Sequence, residues 1–200
     1  MAKRSADIVL AGSALVMLSP LFLGLFLLMK ARMPGPFLYA HERVGHGGRR
    51  FRCLKLRTMC MDGDAVLRRH LAADPDARRE WDETRKLRND PRVTPLGRVL
   101  RELSLDELPQ FLNVVAGDMS LVGPRPVVAD ELDRYGMSRR HYVSVRPGVT
   151  GLWQISGRNE TSYARRVALD RYYASRRSHA LDLAILVRTV PAVVASRGAY

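Results

Sequence analysis

A chain of 200 residues is long enough for one domain with a buried core. Its 33 Lys and Arg against 20 Asp and Glu leave a net charge of +13, a surface suited to polyanions such as nucleic acid, anionic lipid or phosphorylated small molecules. Two cysteines seven apart, Cys53 and Cys60, form neither a redox pair nor a zinc knuckle and read as reduced thiols; the five histidines have no metal-ligand spacing, and repeats and low-complexity tracts are absent.

The first predicted element is the uncharged run from Ile8 to Met29, long enough to span a hydrocarbon core. "KARMPGP" follows it and offers no cleavage site, which argues against a signal peptide. Lys3 and Arg4 precede the run, and Lys30, Arg32 and Arg43 follow it, so positive charge asks for both ends on the cytoplasmic side. Ser19-Pro20 interrupts its centre, because Pro20 has no N–H and disfavours helix at Ser19. The Ser19 hydroxyl can satisfy part of the freed backbone. Three forms stay open from the residues: a re-entrant helix, a kinked spanning helix and a buried soluble helix.

Next, "PFLYAHERVGHGGRRFRCLKLRTM" predicts two short strands around Gly47-Gly48, with Lys55 and Arg57 on one face of the second. Helices are expected in "DAVLRRHLAA" and "ARREWDETRKLR", divided at Asp74-Pro75, then a loop through "NDPRVTPLG". Further helices are expected at about 96–103 and 105–115. "AGDMSLVGPRPVV" reads as a loop and "VRPGVTGLWQISGR" as irregular or extended. "TSYARRVALDRYYASRR" reads as a helix, and the last apolar helix should stop near Pro191, either at the membrane interface or on the core. Basic residues concentrate in two blocks. Lys30 to Arg57 holds eight Lys/Arg and one acid, and Arg134 to Arg177 holds ten Arg and two acids.

Against this background "LSLDELPQF" stands out, with Asp106 and Glu107 adjacent in a basic chain. Ser104 and Glu107 have capping-box spacing, and Pro109 favours a helix starting near Asp106, so both acids are expected at a helix N-terminus. Capping alone is the simplest explanation. The neighbourhood points further. Arg125 lies between two prolines in "VGPRP", a rigid mount for a guanidinium that meets phosphate in fixed geometry. Arg101, Lys55, Arg146 and Arg158 supply further cations. A carboxylate nucleophile, a second carboxylate suited to Mg²⁺ and several phosphate-binding cations fit phosphoryl transfer.

The Ser19-Pro20 segment, "FRCLKLRTM", "LRNDPRVTPLGRVLRELSLDELPQFLNVVAGDMSLVGPRP", "VRPGVTGLWQISGRN" and the closing "GAY" together resemble the bacterial sugar transferase family. These are polyprenyl-phosphate sugar-1-phosphate transferases, also called monotopic phosphoglycosyl transferases. The resemblance covers nearly the whole chain, in the short catalytic form. It implies an α+β, mainly helical protein: residues 1–32 as a re-entrant membrane helix, and 33–200 as a cytoplasmic catalytic domain with a small β-hairpin and interfacial helices. It places the chain at the bacterial inner membrane. There Asp106 would attack the sugar-bearing phosphate of a UDP-sugar, release UMP, and pass the phosphosugar to polyprenyl phosphate. Glu107 would bind Mg²⁺ with Asp106 or assist proton movement. Lys55, Arg101, Arg125 and Arg158 fall where the family binds phosphate, with Arg146 a weaker match. The segment "GRNETSYARRVALDRYY" looks closest to members moving hexose 1-phosphate, galactose or glucose. The implied role is the first membrane step of exopolysaccharide, capsule, O-antigen or glycoconjugate assembly. Anionic inner-leaflet lipid is an expected partner, and a homo-oligomer stays open. The competing classes are a membrane-tethered nucleic-acid-binding protein, which lacks a binding motif here, and a non-enzymatic scaffold, which needs no such acid pair.

Overall fold

The computed structural model describes residues 2–84, 87–157 and 161–194; Arg158 and the closing "GAY" lie outside them. The uncharged run folds as two helices, α1 (Ala2–Met17) and α2 (Ser19–Arg32), bent by 56° at the break. The cause is local. Pro20 has no N–H for the carbonyl of Val16, and the Ser19 hydroxyl donates to that carbonyl instead, at 2.7 Å. Among the described residues no single helix is long and apolar enough to cross a membrane, whereas the bent pair together meets that length and composition.

Both ends of this pair are fastened to the rest of the protein. Lys3 pairs with Asp182 at 2.7 Å, and Arg4 donates to the carbonyls of Val114 and Val115 at 2.6 and 2.9 Å. Buried Asp7 accepts from the Ser120 hydroxyl and the Leu121 N–H. At the far end the buried Arg57 guanidinium donates to the carbonyls of Met33, Pro34 and Pro36, at 2.7, 2.9 and 2.8 Å. Between these moorings Val9, Val16, Met17, Leu23 and Leu27 are exposed, while Ala11, Leu25 and Met29 pack inward.

The hairpin forms as the sequence predicts, β1 (Leu38–Val44) antiparallel to β2 (Arg50–Leu56), with Gly47 and Gly48 at φ 67° and 78° in the turn. β2 ends at Leu56, so Arg57 does not share a strand face with Lys55 but turns to the exit of α2. Helices α3 (Gly63–Ala73) and α4 (Pro75–Thr84) divide at Asp74, whose carboxylate accepts from the Asp76 and Ala77 N–H groups. Thr94 caps α5 (Pro95–Glu102), its hydroxyl accepting from Gly97 N–H at 2.9 Å.

The expected single helix over 105–115 is two pieces: a 3-10 turn, Leu105–Glu107, and α6 (Gln110–Ala116). Beyond it, β3 (Ser120–Val122), α7 (Ala129–Asp133), α8 (Arg139–Val143), β4 (Gly148–Thr150) and α9 (Leu152–Ile155) follow in order. Strands β3 and β4 pair in parallel, Ser120 with Gly148 and Val122 with Thr150, in segments the sequence reads as loop or irregular chain. Last come α10 (Tyr163–Arg176) and α11 (His179–Val194). The α11 helix runs through Pro191 rather than stopping there. The architecture is therefore mainly helical with a small antiparallel hairpin, plus a second strand pair.

One apolar cluster joins α1, β2, α6, β3, α10 and α11 through Ala11, Phe51, Val114, Val122, Tyr173 and Ile185. A second holds Val44, Val127, Leu132, Tyr135 and Tyr142, and a third ties α2 to β2 and α5 through Leu25, Met29, Leu56 and Leu100.

Candidate active site

Asp106 and Glu107 occupy the 3-10 turn that follows α5. Ser104 enters that turn in the left-handed region, φ 56°, and makes no side-chain cap. The expected capping box does not form, because this backbone carries the Ser104 hydroxyl away from the turn's N–H groups. The acids thus project from a tight turn ahead of α6 rather than capping it. Asp106 is buried and Glu107 half-buried. From β2, Lys55 Nζ reaches both, at 3.4 Å from Asp106 Oδ2 and 2.7 Å from Glu107 Oε1. Burial pushes the Asp106 carboxyl above the usual carboxylate range and Glu107 adds to this, while Lys55 and Arg101 pull it back. One ammonium bridging two carboxylates fixes the turn and leaves Asp106 poorly solvated.

Lys55, Glu107, Gln110, Arg43, Arg125 and Gln154 line one cleft beside this turn. Arg125 is mounted by two observations. Its guanidinium lies 5.3 Å from the Trp153 ring centroid. Its loop is packed backbone to backbone on the "RPGVTG" segment. Gly148 N–H donates to Pro124 O at 2.8 Å and Gly123 N–H to Thr150 O at 2.9 Å. A Cβ built on Gly148 would stand 2.1 Å from Gly123 N, and one on Gly123 would stand 2.4 Å from Arg146 O. Only glycine permits that approach, and the approach sets where Arg125 stands.

The other expected cations divide. Arg101 is close enough to influence Asp106, but its Nε donates to Thr58 Oγ1 at 2.9 Å, behind the acid turn. Arg146 is exposed and donates to Gly117 O at 2.8 Å, at the C-terminal end of α6, so the structure does not bring it to the cleft. Arg158 lies outside the described residues. Cys53 is a free thiol on the cleft wall, and burial pushes it up, which removes it as a nucleophile. Cys60 is free as well.

Arg43 is the residue that sequence reasoning passed over, counting it only as a charge flanking the apolar run. In the hairpin register His41 opposes Cys53 and Tyr39 opposes Lys55, so positions 39, 41 and 43 share the Lys55 face. The alternation in "YAHERV" carried that signal.

The acid pair supplies two carboxylates and, among the described residues, no third acid, His or Cys joins them to make a protein-only metal cage. Mg²⁺ needs no such cage: one or two carboxylates with substrate phosphate oxygens suffice, and the donor set here fits that arrangement.

Comparison with known proteins places these features in context. Residues 1–196 match the bacterial sugar transferase family. The chain is 56% identical over 200 residues to the exopolysaccharide production protein ExoY of Rhizobium meliloti (strain 1021), covering 100% of this chain and 88% of that protein. It is 48% identical over 198 residues to the undecaprenyl-phosphate galactose phosphotransferase of Salmonella typhimurium, covering 99% of this chain and 41% of that protein. It is 40% identical over 206 residues to the UDP-glucose:undecaprenyl-phosphate glucose-1-phosphate transferase of Caulobacter vibrioides, covering 99% of this chain and 72% of that protein.

Proposed function

The chain belongs to the bacterial sugar transferase family, and we propose that it moves a hexose 1-phosphate, galactose or glucose, from a UDP-sugar to polyprenyl phosphate with release of UMP. The observation that carries this reading is the buried Asp106, bridged by Lys55 to Glu107 and set beside a cleft that holds Arg43 and Arg125. The names of the Salmonella and Caulobacter relatives support the choice of hexose and of lipid carrier.

In this reading the reaction runs in two halves. An Asp106 carboxylate oxygen attacks the phosphorus that bears the sugar. The bond from that phosphorus to the bridging oxygen breaks, and UMP leaves with the bridging oxygen and its electron pair. The phosphosugar stays on Asp106 as an acyl phosphate. A phosphate oxygen of the lipid then attacks the same phosphorus, the acyl–phosphate bond breaks, and Asp106 is restored. Burial helps the first half, since a poorly solvated carboxylate loses little hydration when it attacks. Lys55 fixes the turn geometry, and Arg125 takes up phosphate charge. Asp106 and Glu107 would hold Mg²⁺, which supplies neutralisation of the diphosphate when bound.

The bent pair α1 and α2 is read as a re-entrant membrane helix. Its two ends are moored to the same domain, by Lys3, Arg4 and Asp7 at one end and Arg57 at the other. Its middle exposes apolar side chains. That arrangement, together with the exposed Leu183, Val187 and Val190 of α11, supports seating on the cytoplasmic face of the inner membrane, against anionic lipid.

The test is UMP release by the purified protein against a panel of UDP-sugars, with and without polyprenyl phosphate. Turnover with UDP-galactose or UDP-glucose is expected when lipid is present. Exchange of labelled UMP into UDP-sugar is expected without it. Exchange that appears only when lipid is added would mean direct attack by the lipid and would remove Asp106 as nucleophile.

A further inference from the structure

We infer that Arg43 is a further anion-binding residue of this cleft, that with Arg125 it holds the phosphate that leaves as UMP, and that His41 sets its orientation. The inference rests on the proposed transferase reading and adds a residue and a role to it.

The two arginines meet for a structural reason. Strand β1 ends at Val44, whose N–H donates to Val127 O at 2.9 Å in an isolated antiparallel bridge. The Tyr142 hydroxyl closes that bridge from the side, donating to Val44 O at 2.7 Å and accepting from Val127 N–H at 3.2 Å. Arg43 is one residue before Val44, and Arg125 two before Val127. The bridge therefore delivers both side chains to one cleft wall.

Among the described residues no carboxylate lies within ion-pairing distance of either guanidinium. Of the acids around them, Glu42 pairs with Arg50 at 2.8 Å, Glu131 with Arg166 at 2.7 Å, and Glu107, on the same cleft, with Lys55 at 2.7 Å. Arg43 is largely withdrawn from water and also feels the like charge of Arg125, both of which work against its charged form. Two close, partly desolvated cations without an anion are a costly arrangement for folding alone. A phosphate between them converts that cost into binding, with charge-assisted and bidentate contacts available from each fork.

Among the described residues His41 makes the one side-chain hydrogen bond of Arg43, with Nη2 and Nδ1 2.9 Å apart. Arginine can only donate, so Nδ1 is the acceptor and the ring is neutral with its proton on Nε2. Burial, Arg43 and Lys55 all hold the imidazole in that neutral form, against a smaller opposing effect of Glu42. The remaining guanidinium N–H groups of Arg43 are left for a ligand.

The role follows from which charge grows. When the bond to the bridging oxygen breaks, negative charge develops on the departing UMP phosphate. Asp106 attacks the sugar-side phosphorus, and Arg43 and Arg125, which line the same cleft as Lys55 and Glu107, are assigned to the phosphate on which that charge appears.

The experiment measures binding of UMP and of uridine to the full chain in detergent, beside UMP release from UDP-sugar by the same preparations. Arg43→Gln should weaken UMP on the order of 10- to 100-fold, the usual range for losing hydrogen bonds to a charged group. Uridine, which has no phosphate, should bind wild type and variant alike. Arg43→Lys keeps the charge without the fork and should fall between the two, which also covers failure of the Gln variant to fold. His41→Leu should lose UMP affinity, and His41→Gln, which keeps an acceptor, should restore most of it. Wild-type UMP affinity in Arg43→Gln or Arg43→Lys overturns the inference, and so does an equal loss for UMP and uridine, which marks a structural residue. A wild-type protein that binds no UMP and turns over no UDP-sugar fails at the earlier step, and takes this role for Arg43 with it.

Discussion

Gly148→Ala is the sharpest test of how the cleft is assembled. A methyl group at Gly148 would stand 2.1 Å from Gly123 N, against ordinary contact of 3.4 Å or more. The two nearest atoms, Gly123 N and Thr150 O, are backbone, so neither can swing aside. The "VGPRP" loop must retreat by about 1.3 Å to restore contact at the bottom of the attractive well. Arg125 sits two residues beyond Gly123 on a proline-stiffened loop and must move with it. A misplacement of about 1 Å in a positioning group costs on the order of 10²-fold in rate. The overpacking itself costs about 1–3 kcal/mol of stability. The assay is UMP release from the preferred UDP-sugar at saturating lipid phosphate, with a thermal melt on the same sample. A lowered melting point and about 10²-fold slower turnover are expected, matched by Arg125→Lys, which leaves the loop in place but removes the fork. Wild-type turnover in Gly148→Ala would show that the position of Arg125 does not limit the reaction.

Three further outcomes follow from the geometry. Asp106→Asn should abolish UMP exchange yet hold or raise the melting temperature at neutral pH. The carboxyl is raised in the fold, so its protonated form contributes stability below its unfolded pKa, and that contribution is lost as pH rises through the folded value. A lower melting point for the Asn variant at pH 8 would contradict this. Asp170, buried and accepting from the Tyr135 hydroxyl at 2.8 Å, is pushed up to about 6 by burial. Stability from its proton is full below about pH 4 and lost by about pH 6, so Asp170→Asn should flatten the fall in melting temperature between about pH 4 and pH 6; an unchanged profile would refute it. Replacing Ser19-Pro20 with Ala-Leu restores the helical ladder across the break and should drive the segment toward a full span. Cysteines placed at positions 3 and 35 should label from one side of intact cells in the parent chain and from opposite sides in this variant. Opposite-side labelling in the parent would end the re-entrant reading.

What could be read from the sequence was what local chemistry dictates. The break at Ser19-Pro20 and the hairpin at Gly47-Gly48 follow from a missing N–H and from positive φ, both properties of single residues. The acid pair was visible because two acids stand side by side in a basic chain, and Arg125 because prolines flank it. The errors are tertiary. Ser104 looks like a cap, but it adopts a left-handed turn, and the adjacent Leu105 packs on the cluster that joins α5 to β2. Pro109 cannot donate to Leu105 O, so the chain runs through 3-10 bonds and α6 starts only at Gln110. Strands β3 and β4 are three residues each and pair across a long intervening segment, so no window of sequence contains the signal. Lys3 and Arg4 were read as charges flanking an apolar run, while the structure pairs Lys3 with Asp182 and seats Arg4 on the end of α6.

That last contact has a mechanical meaning. Helix α6 is seven residues long, about 10 Å from end to end. Arg4 grips the carbonyls at its C-terminal end, and the turn carrying Asp106 leads into its N-terminal end. Asn113, midway along, is laced to β2, accepting from Leu54 N–H and donating to Arg52 O beside Lys55. The anchor and the proposed nucleophile are thus bolted to one short rigid strut. In the proposed re-entrant reading, with the anchor seated in a bilayer, the strut would act as a depth stop, holding Asp106 at a single height above the acyl chains. A lipid phosphate confined to the headgroup plane then has only two dimensions left to search.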